Sequence, residues 1–344
     1  MMMSLTQSIS FKNMEDMLGD RNAEDRGRYY LCDCPSCNEH EAFIYKNNPK
    51  MIQCNRENEC GDRFYVNYES VKDVNDVKVK HMKVDYPDLT EDQAKSLDWA
   101  RRAFKYAQEH FPSPTLDAGF RGLSPEVSRK YIVDFVDEDL VGFMYQKMSS
   151  LWDKDYMNNS FMKERNLILP IHDEKGNVDR ILLRSSINPD ADPKEIQLIT
   201  NPSKESRDFF MDLNGGSNEV VITEALFDSL SFKEVDRNIN FLSLTGVTKM
   251  RQLMNYMKEN KKVFFDKTIV VAMDNDRAGK NAEREILSFL DKEGIGCVRT
   301  TFEYPEGFAI DDPNDFLKYD KKMFLESYRR SVQYEKAREV DLAL

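Results

Sequence analysis

The stretch TIVVAMDNDRAGKNAEREILSFLDKEG, residues 268–294, decides the fold. It opens as a short apolar run rich in β-branched residues and bounded by polar ones, which predicts a buried strand. Two carboxylates one residue apart, Asp274 and Asp276, end that run, and a helix-forming segment with basic residues follows at once. Reading outward, the same grammar recurs. EVVITE is followed by ALFDSLSFKEV, INFLSLTG by TKMRQLMNYMKEN, and CVRTTFEYP follows the quoted stretch. Such alternation predicts βαβ units and a mainly parallel sheet with helices on both faces.

In a parallel sheet, ligands bind beyond the carboxyl ends of the strands, and each prominent acid falls at such an end. Glu224 ends VVIT, Asp274 and Asp276 end IVVAM, and Asp311, Asp312 and Asp315 lie in YPEGFAIDDPNDFL just past another strand. Asp228 comes four residues after Glu224, one helical turn on, and so can face the same way. Converging carboxylates raise one another's pKa unless a cation lies among them. Hard oxygen ligands with room for water suit Mg²⁺ or Mn²⁺, which in turn hold phosphates. Singly, each acid reads more readily as a helix N-cap or a partner of the helix dipole than as a catalytic group; three strand-end sites in one sheet reverse that preference and favour a shared task.

Cysteine usage points to a second centre. Five of the six cysteines fall between Cys32 and Cys60, and the sixth, Cys297 in GIGCVRTTF, is expected in the core. Cys34-Pro-Ser-Cys37 presents two thiolates to one tetrahedral ion, and after sixteen residues Cys54 and Cys60 supply a second pair. Cys32 and His40 are spare candidates for one ligand position. Four protein ligands leave no open position, so a zinc ion here is expected to be structural and its domain to serve recognition.

The chain's 344 residues carry a formal net charge of -12, which argues against a protein that coats nucleic acid by charge alone and leaves room for a local basic groove. No apolar run reaches the roughly 18 residues of a membrane span, and the polar, acidic N-terminus lacks the basic start and apolar block of a signal peptide. A cytoplasmic protein with no membrane partner is expected. The predicted organisation is α/β: a small β domain of the zinc-ribbon kind over residues 1–70, a charged linker over 71–92, a mixed α+β basic subdomain over 93–216, the parallel-sheet domain over 217–318, and a helical tail over 319–344. Within the subdomain, Leu97, Ala100, Phe104, Ala107 and Phe111 mark a helix, SPEVSRKYIV another capped by Ser124, and NLILPIHDEKGNVDRILLRSSI a hairpin turning at 174–177.

VVITEALFDSLS together with VVAMDNDRAGKNAEREIL resembles the TOPRIM domain shared by DnaG-type bacterial primases, topoisomerases and some nucleases. Further stretches narrow the resemblance to the primases. FRGLSPEVSRKYIVDF resembles the opening of their polymerase core, NLILPIHDEKGNVDRILLRS the hairpin of the basic subdomain, LITNPSKES the stretch before TOPRIM, and DDPNDFL the late acidic motif. CPSCNEHEAFIYKNNPKMIQC resembles their N-terminal zinc ribbon. The resemblance covers most of residues 30–318 in the family's order. It implies that Glu224 is the catalytic glutamate, as metal contact or general base, that Asp274 and Asp276 are the metal-binding pair, and that Asp228 and Asp312 are further acidic positions. It implies that Arg121 in RGLS and Arg184 in LLRS line the groove for template and nucleotide. Four positions depart from the family: Ala225 for a glycine, Asn314 for a second acid, Gln197 for a lysine, and Cys37 for a histidine ligand. The 27 residues after Leu317 leave no room for a helicase-docking domain, an economy similar to the short primases of phages and mobile elements.

The implied function is synthesis of short RNA primers on single-stranded DNA from ribonucleoside triphosphates, with Zn²⁺ structural, Mg²⁺ or Mn²⁺ catalytic, and a replicative helicase as partner. The same acids also fit a TOPRIM nuclease, and the zinc ribbon a non-catalytic single-strand-binding replication or transfer factor.

Overall fold

A computed structural model describes residues 7–26, 29–46, 48–56, 60–68, 86–135, 138–151, 164–188, 190–191 and 193–343. The chain divides near residue 85 into two compact units. Most of the linker expected over 71–92 lies outside the described residues; residues 86–90 lead into the first long helix.

Among the described residues, the N-terminal unit is a six-stranded sheet with one helix. Its elements are β1 (Gln7–Phe11), α1 (Met14–Asp20), β2 (Glu24–Asp25), β3 (Tyr29–Cys32), β4 (Ala42–Tyr45), β5 (Asn48–Cys54) and β6 (Arg63–Tyr68). Strands β2 to β6 form an antiparallel meander, and β1 returns parallel to β6 at the edge, giving the order β1-β6-β5-β4-β3-β2. Side chains alternate as a one-sided sheet requires: Ala42 and Ile44 of β4, and Phe64 and Val66 of β6, turn inward onto Met17 of α1. Asn13 caps α1 by accepting from the Asp16 amide.

The larger unit begins with α2 (Glu91–His110), whose N-terminus is closed by a reciprocal capping box between Thr90 and Gln93. Its buried stripe of Leu97, Ala100, Phe104 and Ala107 packs on Ile168, Ile181 and Leu183. Next come α3 (Pro114–Asp117), a 3-10 turn over Phe120–Gly122, α4 (Pro125–Ser128), β7 (Val133–Asp134) and α5 (Glu138–Met148). Helix α4 is a single turn, shorter than SPEVSRKYIV predicts, because the β-branched pair Ile132-Val133 leads into β7, which pairs with β8. Nor does Ser124 cap it by its side chain: the hydroxyl donates to Glu234 instead. Strands β8 (Leu167–His172), β9 (Val178–Arg184) and β10 (Glu195–Ile199) complete a sheet ordered β10-β9-β8-β7. In the β8–β9 turn the Asp173 carboxylate accepts from the Lys175 and Asn177 amides, and Gly176 takes φ +78°.

The five-stranded sheet follows: β11 (Phe209–Asp212), β12 (Glu219–Thr223), α6 (Leu226–Val235), β13 (Asn240–Leu244), α7 (Met250–Glu259), α8 (Lys261–Phe264), β14 (Thr268–Ala272), α9 (Arg277–Glu293), β15 (Val298–Thr301), α10 (Pro313–Tyr319) and α11 (Lys321–Ala343). Its order is β11-β13-β12-β14-β15, with β11 antiparallel to β13 and the remaining pairs parallel. Every residue of β13 and β14 is buried, as expected of strands covered on both faces. Cys297 is exposed, contrary to the sequence reading. It lies just before β15, where its thiol donates to the Asp266 and Lys267 carbonyls, and Ile295 takes the buried place beside it. Among the described residues, no helix is long and apolar enough to cross a membrane.

Helix α11 is fastened to this unit by aromatic packing. The Phe232 ring lies 5.1 Å from Phe302, 4.9 Å from Phe324 and 5.3 Å from Tyr328, joining α6, the segment after β15, and α11. Phe232→Ala is therefore expected to cost about 3–5 kcal/mol of unfolding free energy, measured by urea titration of the full chain.

Candidate active site and metal centre

Two turns of the N-terminal unit bring four thiols together. Cys34 and Cys37 bracket the turn after β3, Cys54 ends β5, and Cys60 precedes β6. Among the described residues this is the one group of three or more potential ligands whose ligand atoms all lie within 4.8 Å of one another. The Sγ atoms of Cys34 and Cys60 are 3.7 Å apart and those of Cys37 and Cys54 3.8 Å. A tetrahedral ion with metal–sulfur bonds of about 2.3 Å sets its sulfurs about 3.8 Å apart, so the spacing fits a closed four-thiolate site. The Ser36 amide points at Cys34 Sγ at 3.4 Å, which favours thiolate charge there. Cys32 stands outside the group, its thiol pushed up to about 11 by burial and by the Asp33 charge. His40 turns its Nδ1 to Asp33 Oδ1 at 2.6 Å.

In the larger unit, Glu224, Asp228, Asp274 and Asp312 line a cavity of about 210 Å³ at the carboxyl edge of the five-stranded sheet. Glu224 leaves β12 and Asp274 leaves β14, the strand paired directly beside it. Asp228, almost fully buried on the first turn of α6, accepts from the Ala225 amide at 3.0 Å. Burial, together with the charges of Asp274 and Asp312, holds the Asp228 carboxyl well above the usual carboxylate range. These carboxylates surround a space without closing on a single point, an arrangement suited to Mg²⁺ or Mn²⁺, ions that keep water and phosphate oxygens among their ligands. The donor set and the mutual repulsion of the acids therefore fit a divalent cation. Asp276 stands half-buried immediately before α9 and does not line this cavity.

Several residues that drew no attention in the sequence hold the acids in place. Gly279 in the first turn of α9 packs so closely that a Cβ there would lie 2.2 Å from the Asp274 carbonyl oxygen, so only glycine fits. Asn275, between the two aspartates, donates its amide to the Asp311 carbonyl at 2.6 Å and its side chain to that of Ile310. Tyr304 donates to the Met273 carbonyl at 2.8 Å. Asp312 also caps α10, accepting from the Asp315 amide at 2.6 Å. Ala225 has an extended backbone at φ −133°, which any residue adopts, so the missing glycine costs nothing there.

A basic wall faces the acids. Arg121, Arg184 and Lys194 line the same cavity, and the Arg121 and Arg184 guanidinium carbons lie 4.7 Å and 5.4 Å from the centre of the Phe227 ring. Arg184 pairs with Glu195 across the β9–β10 ladder at 2.8 Å. Gln197 joins that wall through Glu195, the Thr245 carbonyl and Arg180. Asn314 does not face the cavity: it is fully buried and hydrogen-bonded to Arg121 and Ser231. A larger cavity of about 570 Å³ lies elsewhere, beside Asp173 and Arg207. Its Lys204 is neutralised by Asp173 at 3.0 Å and Asp179 at 2.9 Å, and none of Glu224, Asp228, Asp274 and Asp312 lines it.

Because its folded-state pKa is raised, the contribution of Asp228 to stability is fully present below its unfolded pKa near 3.9 and is lost as pH rises through its folded pKa. In chelator, Asp228→Asn is expected to unfold at a higher temperature than the parent chain at pH 8, with the gap closing as pH falls towards about 4. A gap independent of pH would show that the Asp228 charge is not what the fold resists.

Residues 221–317 match the Toprim-like family. Over 78 residues the chain is 33% identical to the uncharacterized protein MG010 of Mycoplasma genitalium, covering 23% of this chain and 34% of that protein, so the match spans about a third of the relative's length. Among solved structures, the zinc-binding and RNA polymerase domains of the Aquifex aeolicus primase superpose with a TM-score of 0.52 at 17% identity, covering 93% of this chain and 82% of that one. The primase fragment of the bacteriophage T7 primase-helicase superposes with a TM-score of 0.42 at 16% identity, covering 87% and 99%. The chain thus carries a Toprim-like domain and has the fold of the zinc-binding and RNA polymerase domains of a DnaG-type primase.

Proposed function

We propose that this chain is a DNA primase: a metal-dependent nucleotidyltransferase that makes short RNA primers on single-stranded DNA. The observation that carries the reading is the cavity at the sheet's carboxyl edge, where Glu224, Asp228, Asp274 and Asp312 face Arg121, Arg184 and Lys194. A nuclease needs acids for metal; a polymerase also needs cations for a triphosphate. The fold shared with the Aquifex aeolicus zinc-binding and RNA polymerase domains supports the same choice.

In this reading Glu224 and Asp274 would hold Mg²⁺ or Mn²⁺ in the cavity, with Asp228 and Asp312 beside them and Asp276, from just outside the lining, as a further ligand. When bound, such ions would neutralise the phosphates and make the primer's 3′ hydroxyl more acidic. Arg121 and Arg184 orient the triphosphate so that the hydroxyl oxygen stands in line with the α-phosphate; the new ester bond forms as the bond to pyrophosphate breaks. Glu224 contacts metal or accepts the hydroxyl proton. Cys34, Cys37, Cys54 and Cys60 hold a structural Zn²⁺ that stiffens the ribbon against the template. A replicative helicase would supply that template.

The test is an assay with single-stranded template, four ribonucleotides and Mg²⁺ or Mn²⁺. Template-dependent short RNAs are expected, and Glu224→Ala and Asp274→Ala are each expected to lower the yield at least a hundredfold. DNA nicking dependent on the same acids would replace the primase with a nuclease, and template binding with neither product would leave a non-catalytic binding factor. Elemental analysis is expected to find one zinc per chain, lost in Cys54→Ser; a zinc content unchanged by that substitution would overturn the ligand assignment.

A further inference from the structure

We propose that Asn314 is a positioning residue that latches Arg121 in a left-handed backbone conformation, so that the guanidinium is held over Phe227 at the cavity wall to meet the phosphates of a bound nucleoside triphosphate. The inference rests on the nucleotide-binding reading above and assigns Asn314 a task different from that of the acid it replaces.

Arg121 has φ +57°, a region that arginine rarely adopts and that persists only where the surroundings over-determine it. Asn314 supplies that determination from both ends of the residue. Its Nδ2 donates to the Arg121 carbonyl at 3.0 Å and to Ser231 Oγ at 3.0 Å, while its Oδ1 accepts from Arg121 Nη1 at 3.4 Å. The amide is fully buried, and Ser231, itself buried, anchors it to α6, the helix that also carries Phe227 and Asp228. One side chain thus fixes the Arg121 backbone, aims its guanidinium and ties both to the helix that forms the acidic wall. Aspartate could not do this, because it has no N–H for the Arg121 carbonyl and would add a buried charge beside Asp312. The two arginines differ in how they are satisfied. Arg184 is neutralised by Glu195, whereas Arg121 hydrogen-bonds a neutral amide, which offsets none of its charge at the cavity that Asp228 and Asp312 line.

A double-mutant cycle on the full chain tests the latch, with ATP and Mn²⁺ as the probe and the dissociation constant read by calorimetry. Asn314→Ala and Arg121→Ala are each expected to weaken binding about tenfold or more, the scale of one lost charge-assisted hydrogen bond, and the double variant no further than Arg121→Ala alone. Additive losses, or a lower melting temperature with unchanged affinity, would show that Asn314 serves only the fold. Should Asn314→Ala not fold, the uncharged and nearly isosteric Asn314→Leu takes its place in the cycle. If the parent chain binds no ATP, the nucleotide reading fails by itself, and the crystal structure of the Asn314 variant then decides the latch: Arg121 leaving positive φ supports it, and Arg121 unchanged overturns it.

Discussion

The candidate site depends on one register. Thr223 of β12 lies opposite Ala272 of β14 in the parallel ladder, so Glu224 and Asp274 leave the sheet at the same edge from neighbouring strands. Hydrogen bonds along these almost wholly buried strands set that register, and a slip of one residue would send every side chain of a strand to the opposite face. The acids are therefore positioned by the core and not by one another. Gly279 extends the constraint beyond the strand, since the contact of α9 with the Asp274 carbonyl leaves the turn between them little choice of path.

That rigidity makes an unfavourable charge arrangement tolerable. Left free, carboxylates at such proximity would splay into solvent; here Asp228 is anchored to the Ala225 amide and Asp312 to that of Asp315. The guanidinium groups across the cavity offset part of the repulsion, and the Phe227 ring that both approach holds two like-charged groups at a common wall. The net charge of -12 is a poor guide to such a place, because it averages a surface on which both signs are locally sorted.

Local patterning carried much of this architecture. Alternating strands and helices after residue 216 foretold the parallel sheet, and the Cys-x-x-Cys turn with two later cysteines foretold the four thiols that converge. What stayed illegible depends on partners distant in the chain. The parallel pairing of β1 with β6 joins segments more than fifty residues apart, and nothing in QSISF names its neighbour. Asn275 and Tyr304 drew no attention in the sequence because they act by gripping backbone carbonyls, which leaves no pattern of residue types. Cys297 looked apolar by residue type, yet its exposure is decided by which face of the strand edge it meets. Arg121 was singled out by the resemblance of its segment; its unusual backbone conformation leaves no trace in RGLS.

The contact between Arg121 and Asn314 spans 193 positions of sequence. During synthesis the arginine leaves the ribosome long before the residue that holds it, and the chain adds only about 5–20 residues per second. The cavity wall therefore cannot close until the five-stranded sheet is complete and α10 has docked on it. Maturation of the site is thereby tied to the vectorial order of translation, and a chain stalled before residue 312 would lack both the late acid and the arginine's anchor.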